Sequence, residues 1–251
     1  MAGKDDNTIQ FGLRESRVDI VESTVGTSTN FEKSDSNRSA LRICVIATDI
    51  INHVLIALMT TFLLYYSLQS FTTMNLHVTL CTVGYVLLMS EAIVVLAGEN
   101  VLTNFLTRRA KSHIHWILQL LGLICIIIGV VIMYRAKTVH FRSIHAIAGI
   151  VSTALACFLA VFGYPVFVAV KLRKIVRPVV IKFVHNFLGI VCFVVGMVAQ
   201  CYGYRYNWLV YVTKSMPQVQ LICTICTGLI TLFSLRGAIR SLCIQAVTLF
   251  K

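Results

Sequence analysis

Long apolar runs dominate this sequence and limit what it can fold into more than any other feature. Residues 77–97, 115–134, 144–170 and 184–203 are each about 20 residues or longer, enough to cross a hydrocarbon core of about 30 Å as a helix. Two further runs, 43–68 and 218–235, flank them and make six spans in all. The four central runs share one trait: each has a histidine at or next to its start, namely His77, His115, His145 and His185. An ionisable side chain inside such a segment is expensive and marks a function by default. Four of them, placed alike, form a pattern.

Consecutive spanning helices alternate in direction, so their N-termini alternate between the membrane faces. His77 and His145 therefore belong near one face, and His115 and His185 near the other. Neutral imidazole is the side chain best suited to coordinate a metal. Two helices that each present one imidazole at the same depth supply two axial ligands to a flat metal macrocycle, and the sequence offers this arrangement once per leaflet. Glycines follow each histidine at offsets that return to its helix face: Gly84 and Gly122 at seven, Gly149 and Gly189 at four. Glycine also allows close helix packing in membranes. Four matched offsets favour the other expectation, that each glycine leaves room for a broad, flat group.

Composition confirms the setting and removes other classes. Of the 251 residues 57% are hydrophobic and only 13% charged, against about 25% charged in ordinary soluble domains. A net charge of +12 raises the question of nucleic acid, but the basic residues beyond the tail gather in loops or near segment ends. That is the pattern of topology signals and lipid contacts, so lipid is the expected partner and nucleic acid is not. No acidic residue follows Glu99. Cys81, Cys125, Cys157, Cys192, Cys201, Cys223 and Cys226 fall inside apolar runs, where Cys behaves as a small hydrophobe. Cys223 and Cys226 form a CxxC by spelling only, without a second pair or an aqueous setting. There is no CxxCH, so any haem would be held noncovalently.

Residues 1–42 hold seven of the ten acidic residues and many Ser and Thr, the composition of a disordered tail without the apolar core of a signal peptide. The domain proper is expected over 43–240, followed by a short tail, 241–251. His53, on the first span, has no mate at matching depth and reads as a satisfied hydrogen-bonding histidine. Glu91 reads as an acceptor for a hydrogen bond or a partner for a basic loop residue. Of the neighbours His113 and His115, only one can point inward. His115 opens the apolar run and carries the matching glycine, which leaves His113 at the aqueous edge. Six spans put both termini on one side, and 17 of the 22 basic residues lie there against five opposite. The positive-inside rule then makes that side cytosolic. His115 and His185 become the cytosolic pair, and Asn37, a sequon by spelling, stays unglycosylated.

Six spans with a histidine near the start of each of the four central helices resemble the cytochrome b561 family. The run His115-Trp116-Ile117-Leu118-Gln119-Leu120-Leu121 and the segment Met89-Ser90-Glu91-Ala92 are most similar to its domain-containing subgroup. The resemblance covers about residues 45–240. It implies an all-α membrane protein of six transmembrane helices, in which a central four-helix bundle (helices 2–5) holds two haem b groups, one near each face. It implies an ascorbate-dependent transmembrane oxidoreductase, moving electrons from cytosolic ascorbate to monodehydroascorbate or ferric iron on the far side. By position, His77 with His145 and His115 with His185 become the axial pairs of the haem irons. A homodimer belongs to the same set of implied partners. The sequence departs from the family at Leu76-His77-Val78, where many members have His-Pro, and at Gln119, where many have a second histidine.

Basic side chains are expected to focus an anionic donor: Arg108, Arg109, Lys111, Arg177 and Lys182 around the cytosolic haem edge, with Arg142 opposite and His140 as a proton or iron contact. Each is equally well read as a topology determinant. The rival class is a transporter whose buried histidines line a proton or metal-ion path without haem. Few other buried acids and no clearly broken apolar segment weigh against it. The endoplasmic reticulum, an endosomal vesicle and the plasma membrane are all open as locations.

Overall fold

The computed structural model describes residues 38–97, 100–163, 166, 174, 176–214 and 218–250. Only 38–42 of the expected tail are among them, and these are helical. The chain divides into two compact units, Met1–Ala47 and Thr48–Lys251, and the core and candidate site lie in the second. Seven helices are bounded among the described residues: α1 (Arg38–Ser67), α2 (Thr73–Val94), α3 (Arg108–Ala136), α4 (Ile144–Phe162), α5 (Pro178–Tyr204), the short α6 (Asn207–Thr213) and α7 (Gln218–Phe250). All except α6 are long and apolar enough to cross a membrane, and no strand occurs among the described residues.

Local chemistry sets where the central helices begin. Thr72, Thr107 and Ser143 each accept a backbone N–H from three residues on with a side-chain oxygen, capping α2, α3 and α4. Pro178 opens α5, where its missing N–H costs nothing. These starts precede the apolar runs at α3 and α5, because Arg108, Arg109, Lys111 and Lys182 are good helix formers that a hydropathy reading discards. At the other end, α7 continues through 241–250, where the sequence reading placed a tail; nothing there breaks a helix. The expected end of the fourth span at residue 170 lies outside the described residues.

Helices α2, α3, α4 and α5 close a four-helix ring, each packing on the next and α5 returning to α2. α7 packs outside it against α5 and the end of α2. The core joins Ile56, Met59 and Leu63 of α1 to Tyr85, Val86 and Met89 of α2, Ile126 of α3, Phe193 and Met197 of α5, and Ile230 of α7. Leu121, Ile128 and Leu232 stay exposed, as lipid-facing side chains would.

Lipid gives helices no hydrophobic reason to associate, so close packing and hydrogen bonds must hold them. Between Thr82 and Met89, α2 relaxes into a π-helical turn, and Ser90 donates to the Tyr85 carbonyl at 3.2 Å. Tyr85 crosses the bundle centre and donates to Ser152 of α4 at 2.9 Å; Ser152 in turn donates to the Cys192 carbonyl of α5 at 2.9 Å. The Tyr85 ring lies where a Cβ on Gly196 would be, and the Ser152 hydroxyl would be 2.7 Å from that Cβ. An added Cβ at Gly228, in α7, meets nothing within 4 Å.

Gly196→Ala is therefore expected to destabilise the protein by about 1–3 kcal/mol through overpacking. Gly228→Ala should be neutral or stabilising by up to about 1 kcal/mol. Thermal unfolding in detergent measures both, and equal midpoints for the two variants would refute the tight seam at Tyr85.

Candidate functional site

Helix direction brings the histidines together as their order requires. His77 and His145, near the starts of α2 and α4, lie with ring centroids 6.0 Å apart and planes at 88°. His115 and His185 lie on α3 and α5, at the ends that helix direction sets opposite to that pair. Two imidazoles sharing one metal through bonds of about 2 Å have centroids about 6 Å apart, so the first pair has the spacing of a shared axial site.

The second ring nitrogen of each histidine decides its chemistry. His77 Nδ1 donates to the Gly129 carbonyl of α3 at 2.9 Å, and His115 Nδ1 donates to the Ala92 carbonyl of α2 at 2.6 Å. His145 Nδ1 donates to the Ala199 carbonyl of α5 at 2.8 Å. A carbonyl only accepts, so each Nδ1 carries the hydrogen and Nε2 of the neutral ring keeps its lone pair. Metal-bound histidines are usually oriented in this way. The rule is that each histidine is tied to the sister helix of its own hairpin, α2 with α3 or α4 with α5. His185 Nδ1 is the exception: it is buried and has no partner among the described residues. The end of α4 lies close by, since a Cβ on Gly163 would be 3.6 Å from His185 Cε1.

The His115 bond also finishes a helix. At the end of α2 the carbonyls of Glu91, Ile93 and Val94 accept backbone amides, and the intervening Ala92 carbonyl takes His115. Lys111, buried, donates through Nζ to the Ala97 carbonyl at 3.1 Å. It thus ties α3 to the end of α2 and is withdrawn from the exposed basic set. Arg108, Arg109, Arg142, Arg177 and Lys182 are exposed. His113 is exposed too, as its place at the aqueous edge requires.

The four glycines divide into two kinds. A Cβ on Gly149 or Gly189 meets nothing within 4 Å, so open space lies one turn beyond His145 and His185, as a flat ligand requires. Gly84 and Gly122 correct the expectation. Each would bring a Cβ within 3.1 Å of the other's carbonyl oxygen, and Ile126 Cγ1 stands 2.6 Å from the Gly84 position. They let α2 and α3 approach closely, which carries His77 and His115 to the opposing backbone.

Beside His145 an open cleft is lined by Ser143, Ile144, Tyr202, Arg205 and Tyr206. Tyr206 stands edge-on to His145 with centroids 5.7 Å apart, and the Arg205 guanidinium is 5.7 Å from the centre of the Tyr202 ring. Arg205 was not singled out from the sequence, where it reads as one more interfacial cation. Arg142 is not among the lining residues, and His140 stacks on Tyr134 at 4.0 Å. Asn75 is another residue that sequence did not reveal: it accepts from Trp208 Nε1 of α6 at 2.7 Å and donates to Ser70, pinning the turn that precedes His77.

His53 is satisfied, as expected. Its Nδ1 is 2.8 Å from Glu91 Oε1, so Glu91 pairs with this histidine and not with a loop residue. Its Nε2 lies 3.2 Å from Asn100 Nδ2 and 3.7 Å from Asp49 Oδ2.

Comparison with known proteins fits this geometry. The chain is 26% identical to the transmembrane reductase CYB561D2 of Homo sapiens over 171 residues, covering 64% of this chain and 75% of the human protein. The Bos taurus protein of the same name gives the same figures. The profile of the eukaryotic cytochrome b561 family, which binds haem b, matches residues 76–210, more than half of the chain and all four paired histidines. The chain belongs to the eukaryotic cytochrome b561 family.

Proposed function

We propose that the protein moves electrons across a membrane through two noncovalently held b-type haems, from cytosolic ascorbate to monodehydroascorbate or ferric iron on the other side. The observation that carries this reading is the His77–His145 pair, with rings 6.0 Å apart and both Nδ1 atoms committed to backbone carbonyls. Family membership and the name of the relatives support the coarser statement, an oxidoreductase acting across a membrane.

His77 and His145 would hold the haem iron on the far side, and His115 and His185 the cytosolic one; at His77, His145 and His115 the ring nitrogen left for it is Nε2. When bound, haem b supplies one-electron exchange between ferric and ferrous iron. The chain's own residues do the rest. Carbonyls of the sister helices fix three of the four rings, and Gly149 and Gly189 leave space beside the histidines of α4 and α5. Tyr85, Ser152 and Cys192 satisfy one another at the bundle centre and fill it with side chains instead of water. Exposed Arg108, Arg109, Arg177 and Lys182 draw an anionic donor to the cytosolic edge. On the far side the cleft beside His145 presents Arg205 to an anionic acceptor.

Both termini are cytosolic on the distribution of basic residues, and the protein works as a multi-pass membrane protein, alone or as a homodimer. The match over 76–210 supports treating 43–240 as one functional domain.

A dithionite-reduced minus oxidised spectrum of the detergent-purified protein, with haem quantified, tests the centre of the proposal. About two low-spin haems per chain are expected, falling toward about one in His77→Ala or His115→Ala. Folded protein without haem would end the relay reading. Gly149→Leu and Gly189→Leu should each reduce occupancy of one haem while leaving the other; unchanged haem content in both would mean that the open space merely faces lipid. Reversing charge in Arg108→Glu/Arg109→Glu should lower kcat/KM for ascorbate by roughly 10-fold, mostly at low ionic strength. An unchanged value would leave these residues as topology signals alone.

A further inference from the structure

A cluster of ionisable groups sits inside the spanning region without a part in the relay described above. Asp49 and His53 come from α1, Glu91 from α2, Asn100 from the α2–α3 connection and Arg236 from α7. Asp49 is 3% exposed and His53 15%. A carboxylate so placed needs compensation. Asp49 Oδ2 accepts the Val101 N–H at 2.7 Å, and Arg236 Nη2 approaches Asp49 Oδ1 at 4.0 Å. Lys111, from α3, closes the same end through the Ala97 carbonyl.

Within this cluster His53 Nε2 has two kinds of partner. Asn100 is oriented by its Oδ1, which accepts from both the backbone N–H and the hydroxyl of Thr103 at 2.9 Å. Its Nδ2 therefore faces His53 Nε2 at 3.2 Å as a donor, which suits a neutral ring with its lone pair on Nε2. Asp49 Oδ2, 3.7 Å from the same nitrogen, suits a ring that carries a hydrogen there. Glu91 takes the Nδ1 hydrogen in both cases. On protonation Asn100 Nδ2, a donor, gives way and Asp49 Oδ2 becomes the acceptor for Nε2. The imidazolium adds one positive charge to a cluster that otherwise holds Asp49, Glu91, Arg236 and, at the same end, Lys111.

The cluster also adjoins the cytosolic pair. Glu91 directly precedes Ala92, whose carbonyl holds His115 Nδ1. We propose that His53 Nε2 is a proton-binding site linked to the charge at the His115/His185 haem site, a step that rests on the relay reading. One electron arriving there adds one negative charge; His53 takes one proton from water at the cytosolic face and restores the balance. Opposite charges attract strongly in a poorly polarisable interior, and the linkage is reciprocal. Proton binding raises the midpoint potential of that haem, and the electron raises the proton affinity of His53. The potential of this component therefore falls as pH rises through the His53 titration.

The test is a redox titration of the detergent-purified holoprotein at a series of pH values, following both haem components. His53→Gln is the informative variant, because its amide can donate to Glu91 and accept from Asn100 as the neutral ring does, yet cannot titrate. The expected result is one component with a flattened pH dependence, the other unchanged and the low-spin spectrum intact. If His53→Gln does not fold, Asp49→Asn removes the charge facing Nε2, and the pH dependence of the same component should shift along the pH axis. Unchanged pH dependence in a variant that holds both haems overturns the proton site and leaves the relay standing. Equal changes in both components overturn its placement beside His115. Wild-type protein without haem overturns the relay reading and this inference with it.

Discussion

The hydrogen bond from a histidine ring to the backbone of a neighbouring helix is the interaction on which the rest of the structure depends. It occurs at His77, His115 and His145, each time reaching the sister helix of its own hairpin. One bond does three things. It satisfies a polar ring nitrogen inside an apolar layer, fixes the tautomer so that Nε2 keeps its lone pair, and sets the distance between two helices. None of this works unless the helices are close. Gly84 and Gly122 permit that approach between α2 and α3. His145 Cε1 lies only 3.2 Å from where a Gly203 Cβ would stand, so a side chain there would crowd the ring.

Other polar groups in the bundle follow the same economy. Tyr85 bonds to Ser152, Asn52 to Ser234, Asn75 to Trp208, and Thr227 to the hydroxyl of Tyr204. Each pair joins elements distant in sequence, which matters where lipid offers no hydrophobic drive for association. The charged groups are kept apart from the bundle centre: Asp49, His53, Glu91 and Arg236 collect at the end of α2, beside the His115 anchor. The proposed electron path and the proposed proton site at one edge would be kept apart by a middle packed with Tyr85, Val86, Phe193 and Met197.

Much of the fold was legible because a bilayer permits few solutions. Apolar length fixed the number of spans, and alternation of direction fixed which histidines share a face. His113 is exposed, as helix periodicity led one to expect, and His53 has hydrogen-bond partners within its own cluster. Boundaries were less legible, since hydropathy stops at Arg108 and Lys182 although the helix does not. The glycine pattern was half right. At Gly149 and Gly189 a missing side chain leaves open space; at Gly84 and Gly122 it admits another helix, and a residue that lacks a side chain says nothing by itself about which.

The sequence by itself determined the number of spans and their alternating direction, and from these the expected pairing of His77 with His145 and His115 with His185, because these follow from length, periodicity and direction. Tertiary structure decided which nitrogen is free in three of the four rings, that Lys111 is spent on the Ala97 carbonyl, that Arg205 lines the cleft beside His145, and that Glu91 answers His53. These partners lie from 14 to 60 residues apart in the chain. No local pattern encodes contacts of that kind; they arise when helices packed at close range must satisfy every buried polar atom without water.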